Sequence, residues 1–237
     1  MNKVSLRERA LRLLSLSMYE NADIGDSLKQ ASFCELQPPS DQYILRMMVK
    51  GPSTHGWAIP PALDWLRSTI ISLDEYQRAV MQVEHPYVYV TVRSGVVRSM
   101  TDDEWHVDGF SMRKPHAPEQ NYIWSSHTGT EVAVQNFRIL DTFDPKRHNI
   151  HQYFQRRVDP RTVERLLPGH LYLIDPYVVH RRPAVAPGTQ RAFVRISFVP
   201  IEIEDDTCTP NPLLPAKHYG RTDIRTHLID YDKDPTL

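Results

Sequence analysis

The segment YVYVTVRSG, residues 87–95, opens with six consecutive aromatic or β-branched side chains and follows directly on Pro86. Such side chains fit a pleated, half-buried surface, so the segment predicts a β-strand. It divides the chain. Upstream, PPALDWLRSTIISLDEYQRAVMQVEH (60–85) reads as one or two helices ending before Pro86. MNKVSLRERALRLLSLSMYE (1–20) reads as an amphipathic helix, with Leu6, Ala10, Leu13, Leu14 and Met18 on one face and Arg7, Glu8 and Arg12 largely elsewhere. QYILRMMVKG (42–51) lies between them, after a loop-like stretch at Gln37–Ser40, so residues 1–85 read as mostly helical. Downstream, further strands are expected at NYIWSSH (121–127), TEVAVQNF (130–137), HLYLIDP (170–176) and RAFVRISFVP (191–200), separated by turns such as HTGT, LPGH and VAPGTQ.

No helix-length segment separates most of these strands, which predicts a sandwich or barrel and not a parallel α/β sheet. The expected class is α+β with a mainly β core at 86–200 and the N-terminal helices packed outside it. Residues 138–168 mix turn residues, charges and a possible short helix, and read as an insertion between strands; residues 201–237 read as a polar tail wrapping the outside. A chain of 237 residues with 41% hydrophobic and 24% charged residues suits one globular domain.

Twenty-eight basic and 29 acidic residues leave a net charge of −1, which argues against a nucleic-acid binder working by phosphate neutralisation. Cys34 and Cys208 form no C-x-x-C pair, so neither a disulfide framework nor a thiolate zinc site is indicated, and a cytoplasmic setting is expected. Nowhere does an uninterrupted apolar run approach the roughly 20 residues a membrane span requires.

The chemistry concentrates in TDDEWHVDGFSMR (101–113). If the segment around His106 and Asp108 is extended, those two side chains share a face and present an imidazole nitrogen and a carboxylate oxygen to one ion. Alone, that spacing is equally that of polar residues on a strand edge. His180, after the apolar strand and Asp-Pro turn of LYLIDPYVVH, supplies a third ligand, and two histidines with one carboxylate leave three positions open on a non-haem iron. A dicarboxylate co-substrate needs a cation for its distal end, and arginine offers a planar two-pronged donor. In RAFVRISF, alternation places Arg191, Phe193, Arg195 and Ser197 on one face and Ala192, Val194, Ile196 and Phe198 on the other. Two arginines facing into a barrel call for an anionic partner.

HVDG (106–109), the passage ending in His180 and the arginines after it resemble the Fe(II)/2-oxoglutarate-dependent dioxygenases, over the region from about Tyr87 to Pro200. The resemblance implies a double-stranded β-helix (a jelly-roll, cupin-like barrel) with His106, Asp108 and His180 as iron ligands. It also implies 2-oxoglutarate and dioxygen as co-substrates, ascorbate as a reductant, and oxidation of a C–H bond in a small molecule such as an amino acid or natural-product intermediate. Asp108 stands where related halogenases carry a small residue, which favours hydroxylation. Family members place the co-substrate arginine differently: an offset of 11 from His180 selects Arg191, the preferred reading, while an Arg-x-Ser pattern selects Arg195 with Ser197. Tyr122 is a further candidate for hydrogen-bonding the co-substrate, although a strand tyrosine is more often core filling. The competing class is a barrel of the same shape that binds a ligand or regulatory metal without oxygen chemistry. His148 and His151, and the adjacent Arg181 and Arg182, read mainly as solvated or structural residues, with an arginine at the barrel mouth able to meet an acidic substrate.

Overall fold

The computed structural model describes residues 36–52, 56–98, 104–108, 119–135, 137, 149–174, 178–204 and 206–217. Among these, the strands are β1 (Tyr43–Lys50), β2 (Tyr87–Val96), β3 (Gln120–Ser125), β4 (Glu131–Ala133), β5 (Val163–Arg165), β6 (Tyr172–Ile174), β7 (His180–Arg181) and β8 (Gln190–Val199). The α-helices are α1 (Arg67–Ala79), preceded by a 3-10 segment at Pro61–Leu66, and α2 (Ile150–Arg157). The N-terminal helix expected at 1–20, the segment 109–118, the first part of the 138–168 section and the tail from 218 lie outside the described residues.

The strands form two antiparallel sheets, one of five strands in the order β1-β2-β8-β3-β6 and one of three in the order β5-β4-β7. The centre of the larger sheet is the β2–β8 ladder, unbroken from Tyr87 opposite Val199 to Val96 opposite Gln190. Its period of two separates the faces as the sequence predicts. Val88, Val90 and Val92 with Ala192, Val194, Ile196 and Phe198 point to one side and are buried in the main core. Leu63, Leu66, Ile70 and Leu73, spaced by three and four along the 3-10 segment and α1, cover that side with no exposed surface. Each such side chain contributes about 2 kcal/mol relative to leaving it in water.

Thr91, Arg93 and Gly95 of β2, with Arg191, Phe193 and Arg195 of β8, occupy the other face and line a cavity. Beyond it, a second apolar cluster of Ile123, Val132, Leu166, Tyr172, Ile174 and Val178 joins β3 and β6 to β4 of the smaller sheet. No helix among the described residues is long and apolar enough to cross a membrane.

Two sequence expectations are corrected. QYILRMMVKG lies in the part read as mostly helical, yet residues 43–50 form an edge strand, because pairing with β2 and burial of Ile44, Met47 and Val49 outweigh the helix propensity of Leu, Arg and Met. The section 138–168 is more than an insertion, since β5 at its end pairs with β4 and completes the smaller sheet.

The chain passes from the larger sheet to the smaller one through Gly129, between β3 and β4. A Cβ there would lie 1.8 Å from the carbonyl oxygen of Leu166, a residue whose N–H donates to the carbonyl of Thr130 at 2.9 Å. Gly129→Ala is therefore expected to destabilise the protein by about 3 kcal/mol, read as a lower denaturant midpoint, whereas Gly188→Ala, in open space at φ 89°, costs only its local backbone strain.

Candidate metal centre

His106 and His180 face each other across an isolated antiparallel bridge. The N–H of each donates to the carbonyl of the other, both at 2.9 Å. This backbone pair joins the segment after β2 to β7 and brings the two rings to 4.5 Å between centroids. The Nδ1 of each ring meets the carbonyl two residues earlier, His106 to Glu104 at 2.7 Å and His180 to Val178 at 2.9 Å. A carbonyl only accepts, so the proton of each neutral imidazole sits on Nδ1 and Nε2 keeps its lone pair for a ligand.

Asp108 supplies the third donor. Its Oδ2 lies 3.4 Å from Nε2 of His180, and one ligand atom from each of His106, Asp108 and His180 falls within 4.8 Å of the others. Nη1 of Arg195 donates to the same carboxylate oxygen. Burial raises the Asp108 carboxyl, but the positive charge of Arg195 beside it lowers it, and the group is held well below the ordinary carboxylate range. The cluster thus offers two imidazole nitrogens and an ionised oxygen from one side and opens on the other to a cavity of about 580 Å³. That donor set fits a first-row divalent metal such as Fe(II).

The remaining predicted residues divide. Arg191 lines the same cavity, with its guanidinium over the Phe193 ring at 5.6 Å and a weak 3.4 Å hydrogen bond to the carbonyl of Thr128. Its Nε is buried without a hydrogen-bond partner among the described residues. Burial, followed by repulsion from Arg182 and Arg93, pushes its pKa down to about 10, so the guanidinium stays charged at neutral pH in a place that resists the charge. Arg195 also has a buried, unsatisfied Nε. It shares with Ser197, Asp108, Glu119 and Arg46 a second cavity of about 190 Å³. Ser197 donates to Oδ1 of Asn121 at 2.5 Å, and Nδ2 of Asn121 is buried with no partner among the described residues.

Tyr122 is not at the site, and its reading as a co-substrate ligand is corrected. Even-numbered positions of β3 face the α1 side, so the ring is fully buried in the main core, where its hydroxyl accepts from Gln77 at 2.7 Å.

Several site residues escaped the sequence reading. Arg93 shares a face with Thr91 and Gly95, and the alternation of YVYVTVRSG was the signal that could have exposed it. His151, carried on α2, stacks against His106 at 6.2 Å and lines the cavity; His148 lies outside the described residues. Arg46 reaches the cavity through a bulge in β1 that no sequence pattern announces.

Arg181 and Arg182 separate as adjacent strand residues do. Arg182 lines the cavity, while Arg181 binds Glu131 at 2.8 Å and lies over the Trp105 ring at 4.6 Å. Arg165 of β5 grips the same buried carboxylate, so Glu131 on β4 ties β5 and β7 together next to His180.

No known family model and no curated protein matches the chain. Among solved structures, AviO1 from Streptomyces viridochromogenes Tue57 is similar at 14% identity over 90% of this chain and 100% of that one, with a TM-score of 0.39. HygX from Streptomyces hygroscopicus, with nickel and 2-oxoglutarate bound, is similar at 11% identity over 73% and 75% of the two chains, with a TM-score of 0.39. EvdO2 from Micromonospora carbonacea var. aurantiaca is similar at 15% identity over 91% and 98%, with a TM-score of 0.35. Likenesses this distant carry no weight for this chain, whose reading rests on its own residues.

Glu131 gives a pH test. Burial raises its carboxyl, but Arg165 and Arg181 lower it below 4.5. A carboxylate depressed in the folded state contributes stability above its unfolded pKa and loses that contribution as pH falls through the folded one. Glu131→Gln should cost about 2 kcal/mol at pH 7, less than a fully buried pair because both arginines reach solvent. Urea midpoints of the two proteins should converge as the pH drops below 4.5.

Proposed function

We propose that this chain is an Fe(II)/2-oxoglutarate-dependent dioxygenase built on a double-stranded β-helix, oxidising an unactivated C–H bond of a small molecule, most simply by hydroxylation. The observation that supports this best is the convergence of His106, Asp108 and His180, each imidazole held by a backbone carbonyl so that Nε2 is left for a metal, at the wall of a cavity of small-molecule size. Iron bound there would supply dioxygen activation coupled to conversion of 2-oxoglutarate to succinate and carbon dioxide, with ascorbate as an external reductant.

The chain's own residues hold and orient. Asp108 keeps a full negative charge at neutral pH and offers it to the metal from the side that carries Arg195. Of the two arginines, Arg195 with Ser197 is the better anchor for the distal carboxylate of 2-oxoglutarate. It adjoins Asp108, shares a small cavity with Ser197, and leaves buried donors on itself and on Asn121 that an anion would satisfy. On this reading Arg195 is preferred to Arg191, which an offset of 11 from His180 favours.

Anaerobic titration with Fe(II) and 2-oxoglutarate, followed by the visible absorption band of the chelate, tests the reading. His106→Ala should lose the band, with metal affinity down by more than about 100-fold, yet keep its fold, because the bridge to His180 uses backbone atoms alone. Arg195→Ala should weaken 2-oxoglutarate about 100-fold, and Arg191→Ala by far less; the opposite order would restore Arg191 as the anchor. Metal and 2-oxoglutarate bound without succinate formation from any substrate would leave a ligand-binding barrel instead.

A further inference from the structure

Six arginines, Arg46, Arg93, Arg98, Arg182, Arg191 and Arg195, line the larger cavity, against two carboxylates, Glu104 and Asp108. A divalent metal and dianionic 2-oxoglutarate carry equal and opposite charges, so loading the site as proposed leaves the arginines outnumbering the carboxylates among the described residues, even when Glu119 of the adjoining smaller cavity is counted. The whole chain has a net charge of −1, so this is a local concentration and not a basic protein. Like charges gathered in a partly buried space repel and lose solvation, an arrangement that persists where a ligand offsets it.

Their placement follows from specific features of the fold. Arg93 and Arg191 lie on one face of the β2–β8 ladder, Arg93 opposite Phe193 and Arg191 opposite Gly95, so the two guanidinium groups rise from adjacent strands. Arg182 approaches from the end of β7, close enough that it and Arg93 both disfavour the charge on Arg191. Arg46 is aimed by the register slip between Ile44 and Met47, where it takes φ 45° and its N–H binds the hydroxyl of Thr91 at 3.1 Å. A non-glycine residue in that region is strained by about 1 kcal/mol, and such strain collects at binding sites.

We propose that the substrate bears at least two negative charges in oxyanion groups (phosphate, sulfate or carboxylate) and that Arg93, Arg182 and Arg191 hold them, with Arg46 facing the side nearer Arg195. That this anion is a substrate rests on the oxygenase reading; that the cavity binds it rests on the arginines. A volume of about 580 Å³ suits a small molecule and not a nucleic-acid strand. Three guanidinium groups, two on adjacent strands and one just past the end of β7, match an oxyanion that accepts from several directions.

The test uses the full chain loaded anaerobically with Fe(II) and 2-oxoglutarate, so that the absorption band reports the metal and co-substrate independently. Calorimetric titration at low ionic strength with inorganic phosphate, inorganic sulfate and tricarballylate then reads the anion site and separates phosphate-like from carboxylate ligands. At least one probe should bind, and Arg93→Gln and Arg182→Gln should each weaken it about tenfold with the band unchanged. Succinate release should be stimulated by phosphorylated, sulfated or polycarboxylate compounds over their neutral counterparts. Equal binding by wild type and both variants, or no binding by any probe, would overturn the proposal even where the band forms. Probe binding that depends on Arg93 and Arg182 in a protein that forms no band would uphold the anion site and remove the oxygenase reading.

Discussion

The unbroken β2–β8 ladder is the constraint on which the rest of the molecule depends. Ten residues pair with ten, and because side chains alternate with a period of two, the register decides at once which residues form the core and which meet the cavity. Val90, Val92, Val194 and Ile196 must pack under α1, and that requirement sends Arg93, Arg191 and Arg195 to the opposite face. A slip of β8 by one residue would bury Arg191 and Arg195 against the side covered by Leu63, Leu66 and Ile70 and turn Val194 and Ile196 to the cavity. The hydrophobic face therefore specifies the polar one, and the position of the charges needs no separate device.

The cluster of His106, Asp108 and His180 is held by a different kind of interaction. Nothing in the large ladder places His106, which lies beyond the end of β2. Two backbone hydrogen bonds to His180 do so, and two more from the rings to Glu104 and Val178 carbonyls set the orientation of each imidazole. All four use main-chain groups at the histidine or its near neighbours, so the geometry of the donors is independent of distant side chains. Glu131 then braces β7 from the other side through Arg181, which lies over Trp105, the residue next to His106.

This division explains how much was legible in the sequence. Strands at 87–95, 121–127 and 191–200 could be read because each shows many β-branched or aromatic side chains, and the convergence of His106, Asp108 and His180 could be read because their residue types suit one chemistry. β1 could not, since Leu45, Arg46 and Met47 favour a helix locally and only pairing with β2 makes them a strand. β4, β5, β6 and β7 are two or three residues long, too short for periodicity to mark their ends. Tyr122 was misplaced because a tyrosine in a strand carries no sign of which face its hydroxyl serves; its neighbours on β8 and α1 decide that.

Adjacent arginines show how little of a residue's role resides in its identity. Arg181 and Arg182 differ by one position at the end of a strand, and that step sends one guanidinium to a buried carboxylate and an indole ring and the other into the cavity. The first is neutralised by Glu131 and becomes a structural cation. The second adds its charge to a space where Asp108 is already engaged by Arg195. Because Asp108 is bound by Arg195, the step from position 181 to 182 decides whether an arginine is spent on the frame of the sheet or faces the cavity.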